Sequence, residues 1–381
     1  MKKTVCHITS AHPANDIRIF HKECVSLVEN GYQVHLVAAG SLKTDAKGIV
    51  HHTLIVQTKW VRLWRMINRS FRAYRLAKST PATLFHLHDP ELLPYGLLLK
   101  WQGNIVIYDA HEDLPRDVMM KDWIPRRLRK ITAWVVERIE NFIVLRINMV
   151  IAATPGICAR FRKIGANAIE VNNYPKIDEL SSNLSARNLK DNFQTICYVG
   201  MISLQRGIIE LIHAIETMDV HLIIAGSFVD SKTEKIVRAL PGWKKIDFRG
   251  TVSREEIALI FAQSALGLCV FHPTEAHIES LPNKLFEYMS AGLPIVASNF
   301  LIWSSIVQTV RCGLCIDPMS TLDIKNAIQW ILSNPSIAKE MGQRGKRATH
   351  DYYNWQSEAK KLVEGYQCLF EKVISPSLLI E

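Results

Sequence analysis

No apolar run in this 381-residue chain approaches the ~18 to 20 residues needed to cross a bilayer. The best candidate, "NFIVLRINMVIAAT", is interrupted by Arg146 and Asn148. The first residues, "MKKTVCHITS", lack the long apolar segment of a secretory signal. These absences argue against a spanning or exported protein, and the expected location is the cytoplasm. Clustered cysteine is lacking: eight residues are scattered along the chain, with Cys6, Cys197 and Cys269 inside apolar strand-like runs. That excludes a disulfide framework and fits buried thiols. The one C-x-x-C, Cys312 to Cys315, has no second Cys or His pair beside it, so neither a zinc site nor a redox centre is expected there. No recognised nucleic-acid motif is present, so no nucleic-acid partner is expected either.

What remains is an ordinary globular composition, 48% hydrophobic and 22% charged, sufficient for a large core. The net charge of +10 favours an anionic partner. Short apolar runs alternate with longer helical stretches. The first half holds "TVCHITS", "QVHLVAAG", "HHTLIV", "TLFHLHD", "NIVIYDA" and "MVIAAT"; the second holds "TICYVG", "VHLIIAG", "KIDFRG", "LGLCVF", "LPIVAS" and "GLCID". Most are continuously apolar, as strands of a parallel sheet covered by helices on both faces are. The alternation predicts an α/β architecture. It runs twice, on either side of a polar stretch at 176–192. The expected fold is two Rossmann-like, doubly wound parallel-sheet domains facing a cleft. Residues 1–180 form the first, 193–355 the second, and 356–381 a helical segment that packs back on the first. Ligands of such sheets bind beyond the carboxyl ends of the strands.

One stretch carries the chemistry: "HIESLPNKLFEYMSAGLPIVAS", with Glu279 and Glu287 separated by seven residues. Pro282 suits a first helical turn, and Gly292 with Pro294 ends the helix. Backbone N–H groups and the positive dipole end at residues 280–284, including Ser280, Leu281 and Asn283, suit an anion. Lys284 adds a charge that is unfavourable in a first turn and favourable opposite a phosphate. One turn on, Glu287 can accept hydrogen bonds from a ribose diol, each contributing about 1.5–3 kcal/mol. Glu279, in the loop before, can reach a sugar on the far side of the phosphates. The bland alternative is an amphipathic helix with two surface glutamates.

These residues resemble the E-x7-E signature of retaining glycosyltransferases of family 4, which have two Rossmann domains (the GT-B fold). "EYMSAGLPIVAS" is similar to that family's "EAMAxGxPVVAS" run. The resemblance implies that Glu287 binds the nucleotide ribose and Glu279 contacts the transferred sugar. "YVGMISLQRGIIELIHAI" resembles the family's "VGRLSPEKGxxxLIxA" segment, placing Gly200 and Arg206 at the diphosphate. Met201 stands where the family has Arg, and Lys284 is expected to replace that cation. "IIAGSF" and "FRGTVSREEI" match further landmarks, the latter with Ser253 as N-cap and Glu256 three residues on.

In the first domain the resemblance is looser. The loop after the first strand holds His12, Asn15, Asp16 and Arg18, and lacks the glycine pair that relatives use near donor phosphates. Asp16 is read either as the cap of a helix beginning near Ile17 or as part of the site. His111, in "YDAHEDLP", stands where the family has a histidine facing the transferred sugar; the alternative is a strand-end turn cap. His86, His88 and Asp89 in "FHLHDPELLP" are the residue types of a metal site. Their alternation also suits packing or acceptor contacts, so His88 joins His12, Asp16 and Arg18 as an acceptor-side candidate. No metal and no cofactor are expected.

Residues 59–78 carry seven basic residues and no acid, with Trp60, Trp64, Ile67 and Phe71 on one helical face and Arg62, Arg65, Arg69 and Arg72 on another. With the basic cluster at 126–130, this helix is a candidate for an anionic membrane surface, or else an ordinary sheet-covering helix. The expected activity is metal-independent, retaining transfer of a sugar from a nucleotide-diphosphate donor to a hydroxyl acceptor, a lipid-linked saccharide as in surface polysaccharide synthesis. Catalytic roles fall to His111 and Glu279. Two other readings stand: a nucleotide-sugar epimerase of the same fold, and a basic, non-enzymatic binding module.

Overall fold

Residues 3–42, 48–55, 62–121, 124–180 and 194–374 are described by the structure, a computed structural model. Two compact units divide the chain: Met1–Asn173 with Ser357–Glu381, and Tyr174–Gln356. The switch between them therefore falls ahead of the polar stretch, of which 181–192 lie outside the described residues.

The first unit holds a seven-stranded sheet, β1 (Thr4–Pro13), β2 (Gln33–Ala39), β3 (Ile49–Leu54), β4 (Leu84–Leu87), β5 (Ile105–Ala110), β6 (Met149–Ala152) and β7 (Ala168–Glu170), in the order β3-β2-β1-β4-β5-β6-β7. The second holds β8 (Thr195–Val199), β9 (His221–Ala225), β10 (Ile246–Gly250), β11 (Gly267–Cys269), β12 (Ile295–Ser298) and β13 (Gly313–Ile316), in the order β10-β9-β8-β11-β12-β13. All recorded pairings are parallel, and both sheets reverse strand order beside their first strand. Six strands per half are expected from sequence; β7 is the additional one.

The continuous apolar runs have a physical reason in the second unit. Ile196 and Tyr198 of β8 join Leu222 and Ile224 of β9 in one buried cluster. Their neighbours Cys197, Val199, Ile223 and Ala225 join a second cluster on the opposite face. Both faces of each strand are dry, so both registers must be apolar. In the first unit one face is apolar, with Cys6, Ile8, Phe85, Leu87, Val106 and Tyr108. Alternation sends His7, His86, His88 and Asp109 to the other face. The helix Trp355–Ile374 packs there, burying Tyr366 against His7 and His86. Its Glu358 accepts from the Asn172 N–H at 2.7 Å.

The basic helix, Arg62–Lys78, turns small residues inward: Ser70, Ala73 and Ala77 are buried, whereas Trp64, Ile67 and Phe71 are exposed, Trp64 by 62%. Trp60 lies outside the described residues. The 126–130 cluster opens the helix Arg126–Val144, on which Leu128, Ile131, Trp134, Ile139 and Phe142 are also exposed. No helix among the described residues is long and apolar enough to cross a membrane.

Candidate functional site

In the second unit, the loops after β8 and β11 and the helix Asn283–Ser290 bring three predicted residues together. Gly200 follows β8 with φ +126°, and a Cβ there would stand 3.3 Å from Lys284 Cε and 3.9 Å from an Arg206 nitrogen. Lys284 is 6% exposed. Its Nζ sits 3.5 Å from the Tyr198 ring centroid and has no hydrogen-bond partner. Burial, helped by the Arg206 charge, brings this amine from 10.5 down to about 7. Arg206 lies over the Phe271 ring at 5.1 Å, as does Lys284 Nζ at 5.2 Å. The arrangement is two cations at one glycine corner, one of them desolvated and unpartnered. Such a place suits an anion able to accept from both.

Pro282 caps the helix at its N-terminus, and Asn283 and Lys284 begin it, where no carbonyl one turn earlier in the helix can take their N–H groups. The free donors expected over 280–284 are fewer than the sequence suggests. The Ser280 N–H goes to the His277 carbonyl at 3.2 Å, and Pro282 has none. Ser280 is further fixed by its hydroxyl on His277 O at 2.9 Å and by Trp303 Nε1 on its own carbonyl at 2.6 Å. Leu281 is half-buried against the apolar cluster. Glu279 ends the short helix Glu275–Ile278 and is exposed.

Glu287 accepts from Arg254 at 2.6 Å, and the same guanidinium reaches Glu179 at 3.0 Å. Arg254 is not among the residues singled out from sequence. It opens the helix Arg254–Gln263, where a cation opposes the dipole and so calls for a carboxylate partner. Ser253 and Glu256 form the expected capping box.

In the first unit the four acceptor-side candidates and His111 surround two buried aspartates. Asp89 accepts from the Thr9 hydroxyl at 2.8 Å and the Ser10 N–H at 2.7 Å, and His12 Nε2 lies 3.5 Å away. Asp16 caps the helical segment Ile17–Cys24 through the Arg18 and Ile19 N–H groups, each 2.9 Å away. Burial opposes Asp16's ionisation, but hydrogen bonds from His12 and Ile19 outweigh it and bring the carboxyl to about 2. The hydrogen bond to Asp16 holds His12 above the usual imidazole value.

Arg18 points inward, donating to both oxygens of Asp109 at 3.0 and 2.9 Å and to the Val171 carbonyl at 3.0 Å. Asp109 pays a burial penalty that the Arg18 charge overcomes, so it stays well below the ordinary carboxylate range. His111 Nε2 sits 3.0 Å from Asp109 Oδ2, and its side chain is 19% exposed. His88 is buried, with Nδ1 3.4 Å from the same oxygen. Asp109, two residues before His111 and hence on the same strand face, is the centre that the sequence reading passed over.

The family model described as "Glycosyl transferases group 1" matches residues 182–348, and that of "Glycosyltransferase Family 4" matches 19–172. The MMP alpha-(1->4)-mannosyltransferase of Mycolicibacterium hassiacum is 25% identical over 174 residues, 44% of this chain and 41% of that protein. The chain spans about half the length, or less, of the curated relatives it matches. Among solved structures, sucrose-phosphate synthase from Thermosynechococcus elongatus superposes with TM-score 0.79 at 18% identity, over 97% of this chain and 100% of that one. Anabaena HepE in complex with UDP-glucose does so with TM-score 0.73 at 14% identity, over 96% and 99%. Two matched models in tandem over two parallel-sheet α/β units leave one assignment: the chain belongs to the group 1, family 4 glycosyltransferases and has their GT-B fold.

Proposed function

We propose that this protein is a retaining glycosyltransferase that uses a nucleoside-diphosphate sugar and needs neither metal nor cofactor for the transfer. The observation that carries the reading is the convergence of Lys284 and Arg206 at Gly200, with Lys284 Nζ buried and without a hydrogen-bond partner. A diphosphate is the ligand that two such cations and a helix N-terminus favour. The UDP-glucose held by HepE supports a donor of that class.

In the proposed reaction the acceptor hydroxyl oxygen bonds to the anomeric carbon as the bond from that carbon to the phosphate oxygen breaks, on the same face. The departing phosphate oxygen takes the acceptor's proton. Lys284, Arg206 and the Asn283–Ser290 helix start stabilise the charge that develops there. Lys284 supplies the cation that Met201 does not. Glu287 receives the ribose and Glu279 the transferred sugar. Asp109 holds His111 Nε2, leaving Nδ1 for a sugar hydroxyl. Neither the epimerase nor the binding-module reading is favoured by the similarities to known proteins.

The acceptor we propose is a lipid-linked saccharide, met by a cytoplasmic protein held peripherally at the cytoplasmic, anionic face of a membrane. Support comes from the exposed Trp64, Ile67 and Phe71 beside the arginines of their helix, and from the exposed aromatic and aliphatic side chains of Arg126–Val144. Between that second helix and Leu93–Trp101 lies an apolar groove of about 550 Å³, lined by Leu97, Leu98, Trp101, Ile139 and Phe142 and edged by Arg138. Exposed apolar side chains beside basic ones are what an interfacial surface requires.

A thermal-shift panel of nucleoside diphosphates and their sugars tests the donor, because a ligand raises stability with the logarithm of its excess over Kd. Product analysis then separates the readings. Free nucleoside diphosphate with a glycosylated acceptor supports transfer. An epimerised nucleotide sugar, or a folded protein indifferent to the whole panel, refutes it.

A further inference from the structure

Three histidines and a glutamate, of which His88 alone is an acceptor-side candidate, lie against one another inside the first unit. His7 of β1 and His86 of β4 are directly paired, and alternation puts His88 on the same face. Glu23 comes from the helical segment Ile17–Cys24. One ring nitrogen of each histidine and one Glu23 oxygen all fall within 4.8 Å of one another. His7 Nδ1 and His88 Nε2 share a hydrogen bond at 2.9 Å, whose proton a metal ion would displace, and Glu23 Oε2 is 3.8 Å from the first and 3.9 Å from the second. These edges bracket the roughly 3.3 Å between two ligands held tetrahedrally at about 2.0–2.1 Å from zinc.

Two further observations point to a ligand. All four side chains are buried, none more than 2% exposed, yet both Glu23 oxygens and His86 Nε2 lack a hydrogen-bond partner. Arg18 forms an ion pair with Glu23, its Nε 2.9 Å from Glu23 Oε1, but the Nε–H itself is donated to Asp109 Oδ2. Buried polar atoms left without a hydrogen bond are costly, and a bound cation would satisfy them together. Each histidine's other nitrogen, meanwhile, has an oxygen beside it. Tyr366 Oη is 2.6 Å from His86 Nδ1 and 3.2 Å from His7 Nε2, and Asp109 Oδ2 is 3.4 Å from His88 Nδ1. Oxygen partners of this kind fix the ring orientation of metal-bound histidines.

We propose that His7, His86, His88 and Glu23 form a closed, four-ligand site for a divalent transition metal, zinc by its ligand chemistry. Three imidazoles and one carboxylate suit that ion. With four protein ligands and no open position its role is structural: it ties β1, β4 and the Ile17–Cys24 segment together, with Tyr366 of the C-terminal helix behind them. The ion takes no part in the transfer, and the proposal stands whatever the sugar chemistry proves to be.

The test uses the full chain, purified without a polyhistidine tag or chelator. Elemental analysis is expected to find one zinc per chain. Cobalt added to chelator-stripped protein is expected to give the visible bands of tetrahedral Co(II), saturating at one equivalent. Glu23→Gln and His86→Gln are expected to lose both signals. Tyr366→Phe, outside the ligand set, is expected to keep the site with metal affinity about 10–100-fold weaker. Folded wild-type protein that holds no zinc and gives no cobalt bands, or only octahedral ones, overturns the proposal; this readout serves even if the variants do not fold. Retention of wild-type stoichiometry by folded Glu23→Gln and His86→Gln overturns it equally.

Discussion

Replacing Lys284 by methionine is expected to move stability and ligand affinity in opposite directions. The lysine is buried, with its amine lowered to about 7 from 10.5. A depressed lysine binds fewer protons in the folded than in the unfolded chain, so stability rises with pH between those two values. The penalty for burying the charge is present in full below about pH 7 and relieved towards pH 10.5. At pH 7 the linked cost is at most about 4 kcal/mol. The Tyr198 ring, 3.5 Å from Nζ, offsets about 0.5–2 kcal/mol of it. Lys284→Met, close in length and apolar, is therefore expected to stabilise the second unit by roughly 2–3 kcal/mol at pH 7, and to flatten its stability between pH 7 and 10. The same change removes a charge-assisted contact of about 1.5–3 kcal/mol, a roughly ten- to hundredfold loss of nucleoside-diphosphate affinity. Urea melts across pH and calorimetric titration of the tightest diphosphate in the panel read both quantities. A variant that is less stable than wild type at pH 7, or that binds diphosphate equally well, refutes the reasoning.

Further changes test the surroundings. Arg254→Ala should destabilise the second unit by about 1–3 kcal/mol in a urea melt, because Glu287 and Glu179 lose a shared partner; Arg254→Lys should recover only part, since an ammonium lacks the fork that reaches both. Asp16, brought to about 2, contributes stability that is present above its ordinary value near 3.8 and lost as pH falls towards 2. Asp16→Asn keeps the cap but not the charge, and should flatten acid unfolding in that window by about 1–2 kcal/mol, followed by circular dichroism. Ser253→Ala removes half of the capping box and should cost about 1 kcal/mol in a thermal melt, with diphosphate affinity unchanged.

Much of the architecture was legible in the primary structure because parallel strands buried on both faces leave long apolar runs. β8, β9, β11 and β12 of the second sheet coincide with such runs, whereas β10, "IDFRG", is neither continuously apolar nor buried. β7 does not coincide with one either, since "AIE" is three residues between polar neighbours and is a strand only by pairing with β6. The Arg62–Lys78 helix shows the limit of periodicity. Its aromatic stripe has the spacing of a core face, yet the face turned to the sheet is Ser70, Ala73 and Ala77, because small side chains allow a close approach.

The site was legible as a set of residue types and illegible as an environment. Lys284 reads as a first-turn surface cation; its burial comes from Tyr198 and Phe271, on other strands and loops. Arg18 reads as a loop charge but turns inward to Asp109, some ninety positions away in sequence. Glu23 and Tyr366 carried no signal at all, since their meaning lies in the histidines they face across the fold.

Central to the proposed transfer is a buried lysine whose amine, brought down to about 7, is held protonated once a diphosphate arrives. Calorimetric titration at pH 8, in two buffers of different ionisation enthalpy, measures that directly. With the amine at about 7, binding should draw in about 0.9 proton per diphosphate, and a monophosphate of the same base should bind at least about tenfold more weakly. Equal affinity for the two nucleotides, with heats that do not depend on buffer, would contradict it.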